Sequence, residues 1–507
     1  MKTTRIVFLL LAVLLALGCL GTAVAEEASP WAHLDLSAYE EINFYVIGTL
    51  GQDWQEVVDK ANEMMIEKIN TKVNFVPIPW SDFISMYSLY LSGDDSVDLI
   101  YGASWCNFMD FVKSGAFRGF DEEFIRTYMP LTAEQQAPSS WKEVSYDGLC
   151  YAVPNNKADI SIPALAIPVS VLERYGRSAE SVQTIEDVKQ LYLEIAEKEG
   201  DTGLYAFKTN GNEPMEQFWF SPVNHYVDTN AGSATWMVWD YSTGKPFDVN
   251  DLVWFAKADG YLDYCLQMAE FYQKGVFPSN IINNMEASQD CLRAGTSASA
   301  FTSAGAFDAL QTSTEEELAY IDCFFDEQTI LLRGSYFGYG ACFPAASKKA
   351  ERAAVALDCM KNDPEVNRLL NMGIEGRHYI LSEDGLTYED GPDADKWSYW
   401  CFLLDHDGQP SRAMSPEMEL QQRKYESAIV PSDTFPLSGF VYDSSKYEAE
   451  IAVLSALVNE YRYSFNFGIF GDKTEEKYHS FSQQCEAAGL DAIVEDFRSQ
   501  LAAYLEQ

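Results

Sequence analysis

The chain has 507 residues, enough for two or more domains, and 14% of them are aromatic, which excludes a disordered or fibrous protein. Its formal net charge of -42, from 35 Lys and Arg against 77 Asp and Glu, argues against a binder of nucleic acid or anionic lipid. The same surface suits neutral or cationic ligands better than polyanions.

The first predicted element is a secretory signal. Lys2 and Arg5 make a positive start, residues 6–17 are uncharged and apolar, and Ala23-Val24-Ala25 offers a small-residue cleavage site. A second reading lies at Gly18-Cys19, which resembles the end of a lipoprotein box with Cys19 as the lipidated residue. Release after Ala25 is preferred, because Ala16 and Leu17 fit that box imperfectly. On either reading the protein is expected to work outside the cytoplasm. No later stretch is long and apolar enough to cross a bilayer.

An α/β pattern follows. Residues 42–47 read as a strand, 51–53 as a turn, and Trp54, Val57, Val58, Ala61, Met64, Met65 and Ile69 recur at helical spacing. Residues 73–78 make a second strand, 83–91 a helix and 97–101 a third strand. This order predicts a parallel sheet with helices on both faces. Residues 108–114 form a further helix, and a turn at 146–149 separates two short strands, the second ending at Val153-Pro154.

After Asn155-Asn156 the texture changes. A strand is predicted at 164–168 and a helix at 169–175. A long helix opens at Thr184, where Asp187 can reach back to the cap, and runs to Lys198. Residues 250–274 carry a second long helical pattern, stopped by Gly275. Residues 301–305 look like a strand running into a loop. Residues 364–371 form a helix that stops at Gly373, and 446–461 and 491–505 are amphipathic helices. Nine cysteines beyond Cys19 are scattered without a C-x-x-C, and several have apolar neighbours. They read as small buried hydrophobes.

Several landmarks resemble those of the extracellular solute-binding proteins of bacterial ABC importers, of the large oligosaccharide type, in the branch with a C-terminal domain of unknown function. They are Asp98-Leu99-Ile100-Tyr101, Gly115-Ala116-Phe117 with Phe120-Asp121, and Asp147-Gly148-Leu149-Cys150-Tyr151-Ala152-Val153-Pro154. Later come residues 346–353, 373–379 and 487–491. The resemblance covers essentially the whole mature chain. It implies a two-lobed periplasmic-binding-protein-like fold of type II, each lobe a mixed, mostly parallel sheet flanked by helices, with a hinge between lobes.

The expected division is a signal at 1–25, a first lobe at 38–154 with about 301–350, and a second at 155–300 with about 351–440. A C-terminal helical region, 441–507, is expected to pack across both. Crossovers are expected at 153–156 and near 300–305. The implied function is capture of an oligosaccharide in the interlobe cleft and delivery to membrane permease subunits. Neither catalysis nor cofactor, metal or nucleic acid is implied, and the chain is expected to be a monomer. A short peptide is the alternative ligand, and a glycan-cleaving exported enzyme a third reading.

A sugar site needs aromatic platforms beside planar hydrogen-bonding groups. In open parallel sheets ligands sit beyond the carboxyl ends of the strands, which points to Trp80 and Trp105. Each reads as a platform or as core. Trp219, in a run of three aromatics, is a second-lobe candidate whose other reading is core. Tyr336 and Tyr339 flank Gly338 and share a face only if a turn or bulge breaks the strand. Asn155 and Asn156 bind ligand or cap a turn, and Asp53 reads as a helix cap. Glu375 and Arg377 are read as a buried pair holding a loop beside His378, and the acidic stretch 383–395 as a solvated hairpin. No H-E-x-x-H, G-x-S-x-G or P-loop occurs.

Overall fold

A computed structural model describes residues 29–506 except 49, 80–82, 93–95, 105, 158–161, 201, 211–212, 214, 230–232, 327, 333–334, 398–408, 425–428, 431–439 and 441. Cys19 and Cys401 therefore lie outside the described residues, as do Trp80 and Trp105.

The first lobe is built on a five-stranded sheet. Its order is Thr71–Ile78, Glu40–Ile47, Leu99–Gly102, Gly340–Cys342, Val153–Pro154. The first three run parallel, and Gly340–Cys342 is antiparallel to both its neighbours. Strand alternation sends Ile42, Phe44 and Val46 to one face. There they pack with the helix Trp54–Ile69 and with Ala350–Asn362. Ile47, Ile78, Ile100 and Cys342 point to the other face, against Tyr87, Phe108 and Val112.

The second lobe's central sheet places Pro163–Pro168 between Ala300–Ser303 and Leu318–Ile321, and both pairings are antiparallel. The mostly parallel expectation thus holds for the first lobe and not for this sheet. Leu165 and Ile167 face one core, Ala164 and Ala166 the other. The helix Ile185–Glu199 covers this lobe and opens on the predicted reciprocal cap of Thr184 and Asp187. The predicted helix at 250–274 is shorter. Val253–Trp254 pairs with Met237–Asp240 as a strand, and the helix begins only at Tyr261, after Gly260 turns the chain at φ 83°.

The division of the chain also differs from expectation. Residues 300–321 stay in the second lobe, because Ala300–Ser303 is paired there and the next residues form a helix, Ala304–Thr312. The return to the first lobe falls between Ile321 and Gly340. Ala350–Asn362 and Pro364–Met372 then pack into the first lobe's core through Ala353, Leu357, Val366 and Leu370. A third passage follows Ser411–Arg412, since Met418 joins the second lobe's small core.

The C-terminal helices Glu448–Asn466, Thr474–Ala487 and Leu490–Leu505 complete the second lobe's main core. Leu454, Phe465, Phe481, Phe497 and Leu501 are buried there with Trp254, Tyr261 and Met268. A buried ion pair ties them in. Glu216, fully buried, accepts from Arg462 Nε at 2.7 Å and Nη2 at 3.1 Å, and from Asn466 Nδ2 at 2.7 Å. Among the described residues no helix is long and apolar enough to cross a membrane. The eight described mature cysteines are unpaired and all but Cys150 are buried, as their apolar neighbours suggest.

Candidate ligand-binding site

The three parallel strands of the first lobe end side by side. Ile47 is level with Ile78, and Gly102 pairs with Gly340, which also pairs with Pro154. Five segments leave this edge: 48–53, 79 onward, 103–107, 155–157 and 336–339. They contain Trp80, Trp105, Asn155, Asn156, Tyr336, Tyr339 and Asp53. Among the described residues this edge brings together Asp53, Asn155, Asn156, Tyr336 and Tyr339; Trp80 and Trp105 fall outside them. The tight spacing of strands needs Gly340. A Cβ there would lie 2.4 Å from Val153 O and 3.1 Å from Pro154 Cα.

The returning segment 335–339 is a turn, with Gly338 N donating to Ser335 O at 3.3 Å. This breaks the strand alternation that would have opposed Tyr336 and Tyr339. The turn is held from three sides. Glu143 accepts from Ser335 Oγ and from Phe337 N, the latter at 3.1 Å. Phe337 O accepts from Ser104 N at 2.9 Å, and Tyr339 O from Asn155 N at 3.1 Å. The Phe337 ring meets Phe108 edge-on, with centroids 4.6 Å apart. Tyr336 is buried and Tyr339 half-buried.

The two crossover asparagines differ. Asn156 Oδ1 accepts from Ala137 N and its Nδ2 donates to Gln135 O, both at 2.8 Å. Both ends of this amide thus hold backbone, which is the turn-capping arrangement. Asn155 Nδ2 donates to Lys157 O at 2.5 Å, while Asn155 Oδ1 is buried with no partner among the described residues. Gln136, not singled out by sequence, sits beside it. Its Nε2 donates to Asn155 O at 3.0 Å and Ser140 Oγ at 2.8 Å, and its Oε1 is likewise buried and unpartnered. Nothing in the local sequence marks Gln136, because its place depends on a chain crossing nineteen residues later.

Trp219 is a correction. It lies in the π-helical turn Glu216–Phe220 and is buried against Tyr192, Phe271 and Phe324, with ring centroids 5.9, 5.5 and 6.0 Å away. Its neighbour Glu216 carries the buried ion pair, so the run turns inward. Phe218 is half-buried and stacks on Phe301 at 4.2 Å.

Asp53 occupies the position before the helix Trp54–Ile69 but makes no side-chain cap hydrogen bond. Its carboxylate instead accepts from Arg377 Nη2 and faces His378 Nε2 at 3.0 Å. Arg377 also donates to Glu56 at 2.7 Å and Asp393 at 3.0 Å. Glu375 is exposed and is not the partner expected for Arg377. The acidic stretch forms a hairpin of Tyr379–Leu381 and Thr387–Asp390, and Asp390 and Asp393 pair with Arg412 and Lys396. Beside the edge, burial pushes the Cys106 thiol up to about 12, which leaves it un-ionised and a poor nucleophile.

Comparison with known proteins agrees with this architecture. Residues 436–506 match the family model described as a domain of unknown function, DUF3502. The chain is 20% identical over 445 residues to a carbohydrate ABC transporter substrate-binding protein of Streptococcus pneumoniae serotype 4, covering 84% of this chain and 83% of that one. It superposes on the crystal structure of the N-glycan transport solute binding protein NgtS from Streptococcus pneumoniae with a TM-score of 0.75. That match has 16% identity and covers 92% of this chain and 99% of NgtS. The complex of NgtS with Man5GlcNAc superposes with a TM-score of 0.69, at 16% identity and the same coverage. The chain has the two-lobed type II solute-binding protein fold.

Proposed function

We propose that this protein is the extracytoplasmic solute-capturing subunit of an ABC importer and that its ligand is an oligosaccharide held between the lobes. The observation that carries the reading is the convergence of five segments on the carboxyl edge of the first-lobe sheet, beside the passages to the second lobe. In α/β sheets that edge is where ligands sit, and chain crossings there permit hinge closure.

In this reading Trp80, Trp105 and the half-buried Tyr339 serve as platforms for the C–H faces of the sugar, and the buried Tyr336 supports the turn that carries Tyr339. Asn155 Oδ1, without a partner among the described residues, accepts from a ligand hydroxyl once the lobes move. Asn156 and Trp219 have no part in it. The ligand is bound and released intact. Permease subunits receive it, and the transport energy comes from those partners. The chain acts as a monomer outside the cytoplasm, released after Ala25 or held by a lipid on Cys19. The NgtS complex, whose ligand is Man5GlcNAc, supports a glycan as the ligand class.

The test is a thermal-shift screen of purified residues 26–507 against neutral oligosaccharides, monosaccharides and short peptides. A ligand at about a hundred times its dissociation constant stabilises a fold by roughly 2.7 kcal/mol, a readily measured rise in Tm. A dose-dependent rise with one glycan class, recovered uncleaved, is expected. A rise with peptides alone, or new reducing ends after incubation with glycans, would overturn the reading.

A further inference from the structure

The C-terminal unit is rooted in the second lobe yet touches the first. Lys113 Nζ donates to Asp443 Oδ1 at 2.6 Å. Lys113 ends the short helix Phe108–Lys113, whose Phe108 and Val112 are buried in the first-lobe core. Its backbone therefore moves with that lobe.

Asp443 is fixed just as firmly to the other side. It sits on an arm laid along the last helix, where Phe440 and Tyr442 pack on Phe497 with ring centroids 5.2 and 5.1 Å away. Asp443 N donates to Gln500 Oε1 at 2.8 Å, and Gln500 Nε2 returns a bond to Asp443 O at 2.9 Å. Ser445 N donates to the same carboxylate oxygen that Lys113 reaches, at 3.0 Å. Both charges are thus carried on packed elements of different lobes.

We propose that Lys113 and Asp443 form an interlobe latch through which the C-terminal unit sets how readily the two lobes change their relative position. The inference goes beyond sugar capture and needs only the two-lobed hinge. The side chains are 28% and 50% exposed. A pair this open to solvent shifts an equilibrium by up to about fivefold and is screened by salt. It is strong enough to bias the lobes and weak enough for a ligand to override.

The experiment measures an interlobe distance without any ligand, so failure of the sugar assignment leaves it standing. Spin labels are placed at Ile66→Cys on the first lobe and Ile282→Cys on the second, both exposed positions. Dipolar distance distributions are recorded at low and high salt. Lys113→Ala and Asp443→Asn are each expected to shift the ratio of distance populations two- to fivefold, with Tm essentially unchanged. High salt should bring the parent protein to the same distribution, and the exchanged pair Lys113→Asp with Asp443→Lys should restore the original one. Identical distributions for the parent and both single variants at both salt concentrations would overturn the proposal.

Discussion

His378 Nε2 stands 3.0 Å from Asp53 Oδ2, and the other ring nitrogen settles which of them carries the proton. Ile374 N donates to His378 Nδ1 at 2.9 Å, so Nδ1 is an acceptor and the neutral ring holds its hydrogen on Nε2, aimed at Asp53. Sequence proximity placed Asp53 at a helix start. The fold turned it toward a histidine more than three hundred residues away, beside the edge where ligand is proposed to sit. Asp53→Asn should therefore cost about 1–3 kcal/mol in a denaturant titration, since it weakens charged hydrogen bonds from both Arg377 and His378. Glu375→Gln, on an exposed side chain, should change stability by less than about 0.5 kcal/mol. Nitrogen NMR of the imidazole should report the Nε2–H tautomer.

Trp219 and Tyr339 make a contrasting pair. Trp219→Ala empties a buried site and should lower stability by about 3–5 kcal/mol. Tyr339→Ala, at a half-buried position on the held turn, should leave Tm nearly unchanged. It should weaken oligosaccharide binding several-fold to about tenfold, the worth of one aromatic contact. Calorimetric titration beside a melting curve separates the two. Equal loss of binding from both, with both folds intact, would contradict the assignment.

Arg462→Ala leaves the Glu216 carboxylate buried without its cation and should cost about 3–5 kcal/mol. The double variant Glu216→Gln with Arg462→Met should recover part of that loss, because no uncompensated charge remains. Urea unfolding of the two variants against the parent reads this directly.

The Lys113 ammonium beside Asp443 lowers its carboxyl from an ordinary 3.8 to about 2. A depressed folded-state value means that the contribution is complete above the unfolded value, near 4, and disappears as the pH falls through about 2. Carboxyl NMR titration should place Asp443 near that lower value, and Lys113→Ala should raise it toward the ordinary one.

Much of the first lobe was legible because its signals are local. Strand and helix periodicities from Ile42 to Tyr101 gave the parallel order, and the ends of those strands pointed to the edge proposed for the ligand. The Thr184–Asp187 cap was legible for the same reason, since both partners lie within one helical turn. What was missed depended on distant chain. Val253–Trp254 carries apolar residues that fit a helix or a strand, and only pairing with Met237–Asp240 decides between them. Residues 350–372 follow the second lobe's strands in sequence, but their apolar faces match the first lobe's sheet. Asn156 and Asn155 are adjacent, yet among the described residues one amide is bonded at both ends and the other only through its nitrogen, a difference set by the backbone of Gln135 and Ala137.

The strand Gly340–Cys342 lies between Leu99–Gly102 and Val153–Pro154, and the second lobe's main core is closed by helices that end at Leu505. A chain emerging amino end first thus cannot finish its first lobe before residue 342, nor its second before the last helix appears. Contacts of such long sequence separation form slowly, because the intervening loop must close before they are rewarded. Neither lobe's packing can therefore be complete through most of the chain's synthesis.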